Sequence, residues 1–151
     1  MDLEGYLTGL GVWHRFVDKA ETVHTADASR ATGIDLSTIT KNLVCKTSTG
    51  RYALLVVPGD RRVNLQKAAQ ALNVGNVQLL GFREAEDVSG YPPGGTPSVH
   101  HKNPLQVVVD VSVLTHETVF CGGGTRDKLL ELRTEDIVKL NGAITADISE
   151  Q

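Results

Sequence analysis

Residues 90–98 read Gly-Tyr-Pro-Pro-Gly-Gly-Thr-Pro-Ser and hold three of the chain's five prolines together with three glycines. Proline lacks a backbone donor and fixes φ, and glycine weakens any regular element, so neither a helix nor a central strand passes through this segment. The elements on both sides must be arranged around a rigid, irregular loop.

Upstream of it, Thr38 to Lys46 and Tyr52 to Val57 read as two strands. The polar turn Thr47 to Arg51 contains Gly50 and makes an antiparallel hairpin the simplest connection. Pro58-Gly59-Asp60 ends the second strand. Asn64 to Leu72 is a helix, with Asn64 as cap and Leu65, Ala68, Ala69 and Leu72 recurring at the 3.6-residue period. Thr25 to Ala31 reads as another, with Thr25 as N-cap and Gly33 as its left-handed exit. Asp2 to Leu10 is a weak helix because of Gly5, Gly9 and Gly11. Trp13 to Val17 and Val77 to Leu80 are expected as short strands, and Glu84 to Val88 as a helical turn. Downstream, Leu105 to Val111, Thr118 to Cys121 and Leu129 to Leu132 read as strands, and Thr134 to Gly142 as a final helix with a threonine cap and an Asn-Gly exit. Strands and helices are about equally numerous but do not strictly alternate. The expected class is therefore α+β with a mixed sheet, in one domain over residues 1–151.

Hydrophobic residues are 40% and charged residues 22% of the chain, the balance of a soluble globular protein. No apolar run reaches the roughly 18 residues that span a bilayer, and Met1-Asp2-Leu3-Glu4 lacks the basic flank of a signal peptide. The expectation is a cytosolic protein with no membrane partner. Cys45 and Cys121 lie in apolar runs, the setting of buried, inert thiols in a reducing compartment. Five histidines without CxxC or HxxxH spacing give little support to a protein-held metal, and no cofactor is expected.

The net charge of −3 argues against bulk attraction to nucleic acid, yet residues 41–67 hold six bases (Lys41, Lys46, Arg51, Arg61, Arg62, Lys67) against Asp60 alone, a local charge of +5. A basic face on an acidic chain suits a polyanion gripped at one end; an ordinary solvated surface is the bland alternative. Lys46 ends the run Leu43-Val44-Cys45, where an ammonium must reach solvent or an anion. Alone it also fits a snorkelling strand-end lysine. Gly94 and Gly95 let backbone amides approach a ligand closely, and amides held by flanking prolines can stabilise a developing oxyanion. A rigid turn without a ligand fits the same residues, as it does Gly122-Gly123-Gly124. His100 and His101 follow the loop and, on a strand, point to opposite faces, so at most one serves a pocket. Asp110 stands in the apolar run Val107 to Val111 and needs a partner or a capping role. GxGxxG, GxxxxGK[ST] and GxSxG are absent.

In order, Ile39-Thr40-Lys41-Asn42-Leu43-Val44-Cys45-Lys46-Thr47, Val56-Val57-Pro58-Gly59-Asp60, Gly90-Tyr91-Pro92-Pro93-Gly94-Gly95-Thr96-Pro97, Val108-Val109-Asp110 and Cys121-Gly122-Gly123-Gly124 resemble the YbaK/ProX family of aminoacyl-tRNA deacylases, related to the editing insertion of bacterial prolyl-tRNA synthetases. The resemblance covers roughly residues 20–145. It implies a barrel-like mixed sheet with flanking helices, and hydrolysis of the ester joining a wrong amino acid to the terminal adenosine of tRNA. It implies Lys46, Gly94 and Gly95 as catalytic, with Thr96, Pro97, Ser98, His101, Asp110 and Gly123 binding substrate. It implies the substrate's ribose hydroxyl as base, the acceptor end of aminoacyl-tRNA as partner, and a synthetase as a second partner. Ser98 stands where many relatives carry proline, and His100-His101 where they carry Gly-His. An inactive tRNA-end or nucleotide-binding module and a cysteine hydrolase using Cys45 are the alternatives.

Overall fold

The computed structural model describes residues 1–151. In chain order the elements are α1 (Leu3–Gly9), β1 (His14–Asp18), α2 (Thr25–Thr32), β2 (Thr40–Thr47), β3 (Tyr52–Pro58), β4 (Arg62–Val63), α3 (Leu65–Leu72), β5 (Val77–Leu79), α4 (Phe82–Ser89), β6 (Gln106–Asp110), β7 (Thr118–Gly122), β8 (Lys128–Arg133), α5 (Thr134–Asn141), β9 (Ile144–Ala146) and β10 (Ser149–Glu150), with 3-10 turns at Leu36–Thr38 and Val111–Thr115.

The run Ala53 to Val57 is apolar without alternation because β3 is buried on both faces. Leu54 and Val56 join Val44, Val107, Val109 and Leu130 in the larger core. Ala53, Leu55 and Val57 face the other way, onto Ala68, Ala69 and Leu72 of α3. β3 is accordingly the centre of a five-stranded sheet ordered β5-β2-β3-β6-β9. The β2–β3 hairpin is antiparallel and pairs Lys46 with Tyr52 beside the turn and Thr40 with Pro58 at the far end. β6 runs parallel to β3, and β9 parallel to β6. A three-stranded antiparallel sheet, β1-β8-β7, meets the first at the bridge Ile39–Phe120, so the wrap is barrel-like without closing. β4 and β10 form a separate pair. The α+β class and mixed sheet are those expected, and no helix is long and apolar enough to cross a membrane.

Several local expectations need correction. Thr25 and Thr134 each lie inside a helix; the capping positions are His24 and Arg133, neither with a side-chain cap bond. The Thr134 hydroxyl donates instead to the His116 carbonyl at 2.8 Å, tying α5 to the loop before β7. The turn at Glu84 to Val88 is the eight-residue α4, closed by Gly90 at φ 87°. β4, β9 and β10, of two or three residues each, were too short to leave a periodic signal.

Candidate active site

A cavity of about 510 Å³ opens between the start of β2, the approach to α2, the start of α4 and the loop at residues 93–96. Its floor is apolar and closely packed: Ala28, Ile39, Leu129 and Cys121 are all buried. Two ammonium groups reach it. Lys19 is tied down, donating to Thr22 Oγ1 at 2.7 Å and to the carbonyls of Ala20 and Arg126. Lys41 makes a single hydrogen bond, from Nζ to the Arg61 carbonyl at 2.7 Å, and retains two N–H groups for a ligand. Burial holds its pKa below the ordinary lysine value; Asp60 pulls in the opposite direction.

Lys46, the expected catalytic lysine, is exposed and is not among the residues that line this cavity. Five residues separate it from Lys41, roughly 16 Å along a strand at about 3.3 Å per residue, and its Nζ lies 5.7 Å over the Tyr52 ring at the hairpin turn. The hairpin register carried the missing signal. Counting from the turn puts Thr40 and Lys41, not Lys46, beside the Pro58-Gly59 break where the strands part.

The Gly/Pro loop does reach the cavity, through Pro93, Gly94 and Thr96. It is fixed by a glycine interlock. A Cβ on Gly94, whose φ is +89°, would stand 2.6 Å from the Thr22 carbonyl oxygen, and one on Gly122 would stand 2.3 Å from the Gly95 carbonyl carbon. Only glycine permits this approach. The Gly122 amide donates to the Thr96 carbonyl at 3.1 Å and the Gly124 amide to Gly95 at 2.9 Å, while Arg126 Nε donates to the Pro93 carbonyl at 2.8 Å. Gly95 is turned inward, its amide donating to the Pro92 carbonyl at 2.8 Å, so it is no donor to a ligand. The N–H groups of Gly94 and Thr96 have no acceptor in the protein.

The remaining expected site residues stand behind the wall. Ser98 is fully buried and donates to Asn42 Oδ1 at 2.5 Å; Asn42 lines the cavity and donates to Thr40 Oγ1 at 3.0 Å, whose hydroxyl donates to the Phe120 carbonyl at 2.9 Å. His101 is partly buried with Nε2 2.8 Å from the Pro97 carbonyl, and desolvation pushes its pKa down; Pro97 and His101 thus brace the loop from outside the cavity. His100 takes φ +65°, stacks on Tyr6 at 4.3 Å and contacts the Tyr91 hydroxyl, away from the cavity. Asp110 accepts from the amides of Ser112 at 3.1 Å and Ile148 at 2.8 Å, which makes it a cap for the 3-10 turn at Val111–Thr115 and an anchor for the C-terminal segment. Gly123 packs against Lys128 and donates to its carbonyl. None of Pro97, Ser98, His100, His101, Asp110 and Gly123 lines the cavity.

Both cysteines are buried and free. Burial pushes each thiol up to about 11. Cys45 faces the α3 side of the sheet, so a cysteine nucleophile there has no route to the cavity; Cys121 lines it but is held protonated at neutral pH. No carboxylate lines the cavity, and no three His, Cys, Asp or Glu side chains are grouped to hold a metal ion.

The lining thus combines an apolar floor with the ammonium groups of Lys19 and Lys41, the His24 imidazole and two residues, Gly94 and Thr96, whose amides are unpaired; an already activated carbonyl ester needs donors of this kind and no strong nucleophile. Residues 19–140 match the aminoacyl-tRNA editing domain, and the chain belongs to that family. Its activity is aminoacyl-tRNA deacylation, a hydrolase reaction. The fold matches the crystal structure of a protein provisionally described as a trans-editing enzyme for prolyl-tRNA synthetase, with a TM-score of 0.86 at 28% identity, covering 99% of this chain and 95% of that one. The chain is 23% identical over 136 residues to EbsC of Enterococcus faecalis, provisionally named a Cys-tRNA(Pro)/Cys-tRNA(Cys) deacylase, covering 90% and 83% of the two chains. It is 30% identical over 113 residues to the proline–tRNA ligase of Cupriavidus necator, covering 73% of this chain but 19% of that enzyme.

Proposed function

We propose that the chain acts in trans on free aminoacyl-tRNA bearing a small amino acid, with Lys41 and the amides of Gly94 and Thr96 as its catalytic groups. The observation that carries this reading is the convergence of one incompletely bonded ammonium and two unpaired N–H groups on a single apolar cavity. The aminoacyl side chain lies on the floor formed by Ala28, Ile39 and Leu129, whose apolar surface suits a small uncharged side chain. Water attacks the ester carbonyl, the carbonyl oxygen takes up negative charge facing the two amides, and the carbon–oxygen bond to the ribose breaks with the proton passing to the ribose oxygen. Lys41 holds the phosphate of the terminal nucleotide as a point charge. The proton acceptor is the neighbouring ribose hydroxyl, as the family resemblance implies; His24 is the one imidazole in the lining. Ser98, through Asn42 and Thr40, positions the cavity wall. A synthetase would meet this chain only as the source of mischarged tRNA.

Single-turnover deacylation of alanyl-, cysteinyl-, seryl-, threonyl- and prolyl-tRNA tests this. Turnover of the smallest esters and sparing of the largest is the expected pattern. Binding of the acceptor end without release of any amino acid would establish the inactive binding module instead.

A further inference from the structure

Polar residues of the cavity lining come from β2, the approach to α2 and the Gly/Pro loop, while the end of β5 and the start of α4 contribute Leu79, Leu80 and Phe82. Phe82 is 59% exposed and Leu79 40% exposed, whereas the apolar floor is buried. A phenylalanine left this open in a cavity wall, with a leucine beside it, is apolar surface that nothing in the fold covers. The volume of about 510 Å³ falls in the range of pockets that enclose drug-sized ligands and exceeds the need of a small aminoacyl group.

We propose that Phe82 and Leu79 seat the terminal adenine of the tRNA, with the Phe82 ring stacked on the base. This rests on the deacylase reading above and extends it to the part of the substrate that does not react. Charge complementarity sorts the parts of the substrate: the ammonium of Lys41 suits the phosphate, the unpaired amides suit the ester, and the flat, uncharged π-face of the base is left for the apolar residues. Aromatic side chains stack on bases through such faces, and stacking needs no charged partner on the protein. Phe82 is a positioning residue, since it touches the base and not the reacting atoms.

The test is a cycle with two enzymes and two substrates. Wild type and Phe82→Ala are titrated, in single turnover, against an alanyl minihelix ending in adenosine and against the same minihelix ending in an abasic ribose. Removing the base should raise the half-saturating enzyme concentration of wild type by roughly 5- to 150-fold, the range that base–aromatic stacking supplies. Phe82→Ala should show a similar loss on the adenosine end and little further loss on the abasic one, with the rate at saturation unchanged; Phe82→Tyr should restore binding. Equal losses on both ends, or no loss on either, overturn the proposal. So does a change in self-association of Phe82→Ala by sedimentation without a base-dependent effect, which would make these apolar residues a contact between copies of the chain. A wild-type enzyme that binds both minihelices and hydrolyses neither fails the deacylase reading itself, a distinct result.

Discussion

Replacing Lys41 and Lys46 one at a time separates two accounts of where the site's charge lies. Lys41→Ala removes an ammonium that makes one internal hydrogen bond, to the Arg61 carbonyl, and otherwise faces the cavity. A hydrogen bond from a charged group to substrate is worth about 1.5–3 kcal/mol, which at about 1.4 kcal/mol per tenfold predicts a loss of roughly 10- to 150-fold in kcat/KM. The folded state loses one bond from a half-buried lysine, about 1 kcal/mol, or about 2–4 °C in Tm for a chain of this length. Lys46→Ala removes an exposed cation whose one noted contact is the Tyr52 ring at 5.7 Å, about 0.5–1 kcal/mol of stability and no rate. The assay is single-turnover release of labelled alanine from alanyl-tRNA, with thermal melts of each variant alongside. A Lys41→Ala enzyme at wild-type rate, or a Lys46→Ala enzyme reduced tenfold with a normal melt, would refute the geometric argument.

Gly122→Ala forces a methyl to 2.3 Å from the Gly95 backbone; overpacking of this kind destabilises by about 1–3 kcal/mol, so melts should fall by several degrees and the rate should fall with the displaced amides. Cys121→Ser and Cys45→Ser should both retain turnover, because thiols pushed up to about 11 are protonated at pH 7, and an abolished rate in a folded variant would restore the cysteine-hydrolase reading. Burial lowers the pKa of His101, so the unfolded chain binds the extra proton first: stability should be full above about 6.5 and fall with pH below it, and His101→Gln should flatten that slope in melts taken from pH 7 to 5. Ser98→Ala leaves the Asn42 carbonyl oxygen without its donor, a loss of about 1–3 kcal/mol, and should alter the ranking of small amino acids more than the rate on the best of them.

Where an expectation rested on a local signal, the fold followed it. The Asn64 side chain caps α3, accepting from the Lys67 amide at 3.0 Å, and Gly33 and Gly142 exit their helices left-handed at φ 76° and 55°. The uninterrupted run Ala53 to Val57 is the central strand. Of the two misread threonines, Thr134 has an alternative acceptor in the loop before β7, and a tertiary partner of that kind leaves no trace in the neighbouring residues. The choice between the two lysines was not legible locally. Lys41 and Lys46 sit on one strand in similar apolar company, and what separates them is which end of the hairpin opens onto a cavity, which depends on the Gly/Pro loop and the approach to α2 packed there.

The glycine-rich segments show the same division between local and distant causes. Gly94, Gly95 and Gly122 looked interchangeable as places where a backbone could meet a ligand. In the fold Gly94 and Gly122 line the cavity and Gly95 does not; Gly122 packs against the Gly95 and Thr96 backbone, which fixes the loop carrying Gly94 and Thr96. Their lack of side chains serves protein–protein packing. That rigidity is what gives the two unpaired amides their use, because a donor that must reorient as charge develops stabilises the transition state less than one already in place. An activated ester needs little more than this. On the proposed reading, the buried thiols and the imidazoles of His100 and His101 contribute packing, and the apolar floor and Asn42 are where specificity is to be sought.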